Sequence, residues 1–267
     1  MVATTCCIIS PVAGALRPVL PPGRDLATWH AALVTEVAAH LSPAHAALLF
    51  IDVQNYNAGP DGGEFADMDP ADRDARYGWF FRTMQTTAVP NMQRVQAACR
   101  RGGIEGMYTV IENLTQDGRD RSLDYKISRL NVPRGSWDGR VIDAIAPAGD
   151  EIVLPKTSSS VFISTNIDYV LRNLGVRSLI VAGVLTDQCI DSAVRDACDL
   201  GYLVTTVTDA CATLSQDRHD WSLRNNRGYC RQVTTAEVER LTGAVSLGQT
   251  VGHCWRSRPS GGECGEA

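Results

Sequence analysis

From Ala46 onward, short apolar runs alternate with longer stretches in which apolar residues recur every three or four positions. The runs are strand-sized: Ala46–Asp52, Ile104–Ile111, Glu151–Leu154, Ser178–Gly183 and Tyr202–Val207, with a shorter one near Gln232. The periodic stretches over 73–101, 138–145, 166–174, 187–200 and 215–226, and from Thr235 to Leu241, predict helices between and after them. Runs without polar alternation predict strands buried on both faces, as in a parallel sheet covered by helices. Right-handed crossovers then give a doubly wound α/β arrangement. Ahead of this core, Pro18, Pro21, Pro22 and Gly23 interrupt regular structure, and Asp25 is placed to cap a helix carrying Leu26, Trp29, Leu33 and Val37 near one face. From Gly243 the chain turns polar and Gly-rich. The expected organisation is a flexible arm over 1–24, one domain over 25–242 and a disordered tail over 243–267.

Composition narrows the partners. With 25 Lys+Arg against 30 Asp+Glu, the net charge of −5 offers no basic footprint for nucleic acid or an anionic membrane. The longest apolar runs are too short to span a bilayer, so no transmembrane helix is expected. The nine cysteines include no CxxC pair, which excludes a zinc ribbon and favours reduced thiols in a cytoplasmic setting. No basic residue precedes Arg17, unlike a secretory signal; an organellar transit segment is the alternative. Only two of the 25 basic residues are lysines, Lys126 and Lys156, a hint that these positions need an amine rather than a guanidinium.

In a doubly wound sheet, ligands bind beyond the carboxyl ends of the strands, where the strand order reverses. An acid, Asp52, follows the first run; an amine, Lys156, follows the third; a thiol, Cys189, opens the helix after the fourth. Each has an ordinary alternative, as a turn cap, a solvated charge or a small buried residue respectively. Three reactive groups at neighbouring strand ends are harder to dismiss together. With Thr186 or Asp187 as N-cap, Cys189 lies near the positive end of a helix dipole, which predicts a depressed thiol pKa. Cys198 falls about half a turn round the same helix and reads as packing. His219 lies in a charged stretch that reads as an exposed helix start, so Asp52 is the better-placed base. Gly102-Gly103 and Gly106 read as a helix C-cap and strand start rather than a phosphate loop.

Ile51-Asp52-Val53-Gln54, Pro155-Lys156 and Gly183-Val184-Leu185-Thr186-Asp187-Gln188-Cys189 together resemble the isochorismatase-like cysteine hydrolase superfamily, over about residues 45–242. Arg134-Gly135-Ser136-Trp137, Asp150 to Lys156 and Asn166-Ile167-Asp168 are most similar to its ureidoacrylate-amidohydrolase type. The resemblance implies a Rossmann-like three-layer sandwich, with a six-stranded, mainly parallel sheet and helices on both faces. It also implies a Cys–Asp–Lys triad at Cys189, Asp52 and Lys156, a cis peptide between Val184 and Leu185, and an oxyanion hole from the N–H groups of Leu185 and Cys189. Homo-oligomers, dimers or tetramers, are implied as well. Nicotinamidases of the superfamily hold zinc through histidines after the first strand, and 55–82 contains none. Neither metal nor cofactor is therefore expected. Ser158-Ser159-Ser160 stands where several ureidoacrylate-type members carry an aromatic residue.

The activity implied is hydrolysis of a C–N bond in a small amide, ureido or carbamoyl compound through a thioester. Vinyl-ether hydrolysis of the isochorismatase type is the alternative enzyme reading, and a non-catalytic binding or scaffold protein the alternative outside enzymes. Candidate substrate-facing residues are Glu112 and Asn113 after the second strand, Arg119 as a carboxylate fork, and Tyr56, Asn57, Ser159 and Phe162 by adjacency to the triad. The aromatic cluster Tyr77, Trp79, Phe80 and Phe81 reads as helix packing, with a lid or subunit contact as the other options.

Overall fold

The computed structural model describes residues 41–248. The arm over 1–24, the helix expected from Asp25 and the chain from 249 onward lie outside them. Six strands form one sheet: β1 (Ala46–Ile51), β2 (Glu105–Ile111), β3 (Ile152–Lys156), β4 (Ser178–Val184), β5 (Leu203–Ala212) and β6 (Arg231–Val233). Their order is β3-β2-β1-β4-β5-β6, and every pairing is parallel. The sheet is thus wholly parallel. Strand order reverses between β1 and β4, so the crevice of the fold opens at their carboxyl ends.

The uninterrupted apolar run of β1 follows from burial on both sides. Ala46, Leu48 and Phe50 pack into one core with the helices α2 (Pro70–Thr83), α3 (Val89–Arg101) and α9 (Thr235–Gly248). Ala47, Leu49 and Ile51 enter the other, against α6 (Ile167–Asn173) and α7 (Asp191–Asp199). Two cores on one strand are what an alternating backbone gives when both faces are covered. At the edge, β3 is half-exposed and tolerates Pro155, which has no N–H to offer a further strand. The expected helix over 73–101 is continuous from Pro70 to Arg101 but widens into a π turn at Met84–Ala88. Pro90 has no N–H for the regular ladder there, and Val89 N–H reaches back to Met84 O instead. Gly102 caps α3 and Gly103 follows at φ 68°, as the sequence suggests. Tyr77, Phe80 and Phe81 pack round Phe65 with ring centroids 4.9–6.4 Å apart, as helix packing.

Three elements depart from expectation. The stretch 138–145 is helical only as a 3-10 turn over Asp143–Ile145, and its earlier part is held as loop by bonds to α1 (Asn55–Ala58), such as Tyr56 N–H to Asp138 O. β5 runs on to Ala212 because a register shift opposite Val181–Gly183 absorbs the polar Thr208 and Asp209. Helix α9 continues to Gly248, into the stretch expected to be tail. No helix among the described residues is long and apolar enough to cross a membrane.

Candidate active site

Asp52 directly follows β1, and its backbone at φ 55° turns it out of the strand line. Asp tolerates this left-handed region better than most residues. Its N–H bonds Thr109 O on β2, and Thr109 Oγ1 donates to Asp52 Oδ1 at 2.9 Å. Oδ2 stands 2.9 Å from Lys156 Nζ, in an ion pair whose angle leaves that oxygen without a directed hydrogen bond. Lys156 ends β3, two strands away, and reaches past the end of β2 to make this contact. The same Nζ lies 3.4 Å from Cys189 Sγ, and also donates to Ser158 O at 2.7 Å and Ser159 O at 3.2 Å. A compact ammonium fits this ring of acceptors where a planar guanidinium would not. Asp52 and Lys156 are wholly buried, and Cys189 is 6% exposed. Cys189 is the least enclosed member of the cluster.

Charge and burial oppose each other here. Burial pulls the Lys156 pKa down, but the Asp52 carboxylate beside it outweighs this and holds the ammonium protonated. Burial pushes the Cys189 thiol up to about 12, with Asp52 adding to the rise and Lys156 opposing it. This corrects the expectation of a depressed thiol: burial is the largest influence on the sulfur and acts upward. The expected caps are also corrected. Leu185 holds the N-cap position without a side-chain bond, and Thr186–Ile190 form a wide π turn before α7. The Leu185 carbonyl accepts from Gln188 and Ile190, skipping the Cys189 N–H between them. The Val184–Leu185 peptide is cis.

The turn is clamped by α8 (Gln216–Asn226). Ser222 Oγ donates to Thr186 O at 2.9 Å, His219 Nδ1 meets Thr186 Oγ1 at 2.9 Å, and the Asp187 carboxylate takes Thr213 and Arg218. His219 is therefore half-buried rather than exposed, and burial lowers its pKa. Its partner is the hydroxyl of Thr186, the first residue of the turn, not the thiol.

The substrate-facing candidates divide. Tyr56 packs with Ile111, Tyr125 and Val132 beside the cluster, and Asn57 is buried with Oδ1 unpartnered among the described residues. Ser159 reaches the cluster through its backbone carbonyl. The other four make their contacts elsewhere. Glu112 accepts from Gly135 N–H at 2.8 Å and pins the 133–140 loop. Asn113 is buried against Asn131 Oδ1 at 2.9 Å. Arg119 is exposed and pairs with exposed Asp117. Phe162 turns toward Tyr202, ring centroids 5.9 Å apart, at the amino end of β5. Sequence reasoning missed Tyr125, whose hydroxyl lies 3.2 Å from Lys156 Nζ. It also missed Thr109, Ser222 and the clamping role of His219. Among the described residues no three His, Cys, Asp or Glu side chains gather closely enough to hold a metal.

The isochorismatase domain matches residues 46–238. The chain belongs to the isochorismatase family. Among curated members of this hydrolase family it is 27% identical over 213 residues to the ureidoacrylate amidohydrolase RutB of Agrobacterium fabrum, covering 77% of this chain and 88% of that one. It is 29% identical over 189 residues to RutB of an Enterobacter species, covering 65% and 77%. A cysteine hydrolase from Pseudomonas syringae superposes with a TM-score of 0.66 at 24% identity, over 77% of this chain and 96% of that one. N-carbamoylsarcosine amidase from Thermoplasma acidophilum gives 0.53 at 24%, over 72% and 96%. These two structural likenesses show a shared fold.

Proposed function

We propose that the protein is a cysteine-dependent amidohydrolase that cleaves a C–N bond in a small amide, ureido or carbamoyl compound. The observation that carries this reading is the meeting of Asp52, Lys156 and Cys189, from three separate strand ends, within 2.9 and 3.4 Å of one ammonium. In the resting site the sulfur keeps its proton. As it attacks the substrate carbonyl, that proton passes to Asp52 Oδ2, the oxygen with no directed hydrogen bond. The tetrahedral oxyanion rests on the N–H groups of Leu185 and Cys189, a type of contact worth about 10²–10³ in rate per donor. Asp52 returns the proton to the departing nitrogen, which leaves as ammonia or amine. Water then attacks the thioester, giving its proton to Asp52, and collapse restores the thiol. Lys156 keeps its charge throughout and holds the carboxylate and the sulfur against each other.

A sulfur nucleophile supports amide chemistry over vinyl-ether cleavage, which needs no acyl intermediate. The test is ammonia release from a panel of ureidoacrylate-like, N-carbamoyl, biuret-like and simple amide compounds, with isochorismate alongside and Cys189→Ala as blank. Release that depends on Cys189 supports the reading. Turnover of isochorismate alone, or equal release by Cys189→Ala, overturns it.

A further inference from the structure

The turn that presents Asp52 takes a partner away from β2. The ladder between β1 and β2 ends at Ile51 and Thr109. Asp52 adds one more bond, its N–H to Thr109 O, and at φ 55° then carries the backbone out of the strand line. Two residues further along β2, Ile111 is 5% exposed and its N–H and C=O face the place that β1 has left. The Gln54 side chain fills that place. Its Oε1 accepts from Ile111 N–H at 2.6 Å, and its Nε2 donates to Ile111 O at 2.9 Å and to Asp138 O at 3.0 Å. Both amide hydrogens are spent, and the two carbonyls on the nitrogen fix which way the amide faces. Gln54 is wholly buried.

Ile111 is also the residue that pairs with Lys156 across the β2–β3 ladder, and Glu112 N–H bonds Lys156 O beside it. The end of β2 is therefore the spacer between the acid after β1 and the amine on β3. The carbonyls of Ser158 and Ser159 grip Nζ from the exit of β3 itself. The Tyr125 hydroxyl, on α4 (Leu123–Ile127), grips it from a helix tied to that exit by Ser122 N–H on Thr157 O. These groups would travel with Lys156 if β3 shifted. We infer that Gln54 is a positioning residue: its amide carries the β1–β2 pairing past the turn at Asp52, sets the end of β2, and so holds the Lys156 ammonium at Asp52 Oδ2 and Cys189 Sγ. Its effect on turnover rests on the hydrolase reading above. No contact between Gln54 and substrate is involved.

Gln54→Met keeps the length of the side chain and removes all three bonds. On an ammonia-releasing amide, kcat of the folded variant should fall about 10–10²-fold, the cost of misplacing a group that aligns the reacting ones, with KM changed less than about threefold. Two further readouts need no turnover. Lys126 and Lys156 are the two lysines of the chain, so NMR of lysine Nζ groups labelled with the heavy nitrogen isotope isolates the buried ammonium. Its N–H signal, sheltered from exchange in the native protein, should broaden or vanish in the variant. Iodoacetamide should alkylate Cys189 more slowly than in the native protein, because Lys156 holds the thiol pKa down while Asp52 still holds it up. Gln54→Asn, whose amide stops one methylene short of Ile111, should give the same pattern and serves if the Met variant does not fold. A native kcat in the folded variant, a rise in KM alone, or an unchanged Lys156 signal and alkylation rate overturns the assignment of Gln54 and leaves the hydrolase reading standing. Equal amide turnover by Cys189→Ala overturns that reading instead, and the NMR signal and alkylation rate then still decide whether Gln54 holds Lys156.

Discussion

Replacing Asp52 by Asn tests the buried ion cluster without changing its shape. The substitution leaves the Lys156 ammonium wholly buried with no opposite charge. Breaking one side of a buried pair costs about 3–5 kcal/mol, because the remaining charge is uncompensated. The loss then depends on pH. In the native cluster both Lys156 and Cys189 have raised pKa values. Their stabilising contribution is present below the unfolded-state values and fades only as pH rises past the folded ones, so these groups give no slope between pH 6 and 8. Without Asp52, burial is no longer outweighed and the Lys156–Cys189 pair sheds one proton, from nitrogen or sulfur. The unfolded chain keeps that proton below about pH 8. The unfolded state then binds more protons than the folded one, so the variant gains stability as pH rises, by up to about 1.4 kcal/mol per pH unit. Urea unfolding of both proteins at half-unit steps from pH 6 to 8 reads the difference directly. The cluster predicts a gap of several kcal/mol at pH 6 that narrows toward pH 8. A gap below about 1 kcal/mol and flat with pH is what a solvated pair gives, and would refute the reasoning.

Further outcomes follow from the same geometry. Asp52→Asn removes a charge that raises the thiol pKa, so iodoacetamide should alkylate Cys189 faster than in the native protein while hydrolysis falls about 10²–10⁴-fold for want of a base; the two rates moving together would count against the assignment. Native Cys189, held up to about 12, should alkylate more slowly at pH 7 than a free cysteine, checked by peptide mass mapping of the time course. Ser222→Ala frees the Thr186 carbonyl from a buried bond and should cost about 1–3 kcal/mol of stability, with the loss read by denaturant midpoint. Gly183, at φ 130°, passes so near β1 that an added Cβ would lie 2.2 Å from Ile51 O. Gly183→Ala should therefore cost at least about 2 kcal/mol, through strain and through parting β1 from β4, and an unshifted Tm would show that the strands separate freely there.

The sheet was legible because a strand buried on both faces can run without polar alternation, as Ala46–Ile51 does. The meeting of Asp52, Lys156 and Cys189 was legible because each follows or ends a strand at its carboxyl end, where topology alone aims side chains into the crevice. What was lost depended on partners distant in sequence. Tyr125 sits among Asp120, Arg121, Asp124 and Lys126 and reads as part of a solvated face, until Lys156, thirty-one residues on, meets its hydroxyl. The sign of the Cys189 shift was lost for a similar reason. Helix position is visible in a sequence, but the depth of the sulfur beneath β4, α7 and α8 is not. Phe162 was misplaced because adjacency to Lys156 says nothing of direction, and the short helix Val161–Ser164 turns its ring to the far end of the sheet.

The central claim is that sulfur and substrate become covalently joined. Acid quenching of the enzyme within its first turnovers on an ammonia-releasing amide, followed by intact-mass and peptide mass spectrometry, tests it most directly. The account predicts an acyl adduct on the peptide carrying Cys189, labile to hydroxylamine and missing in Cys189→Ala. Ammonia released at the native rate by Cys189→Ser, with no adduct at any time point, would contradict it.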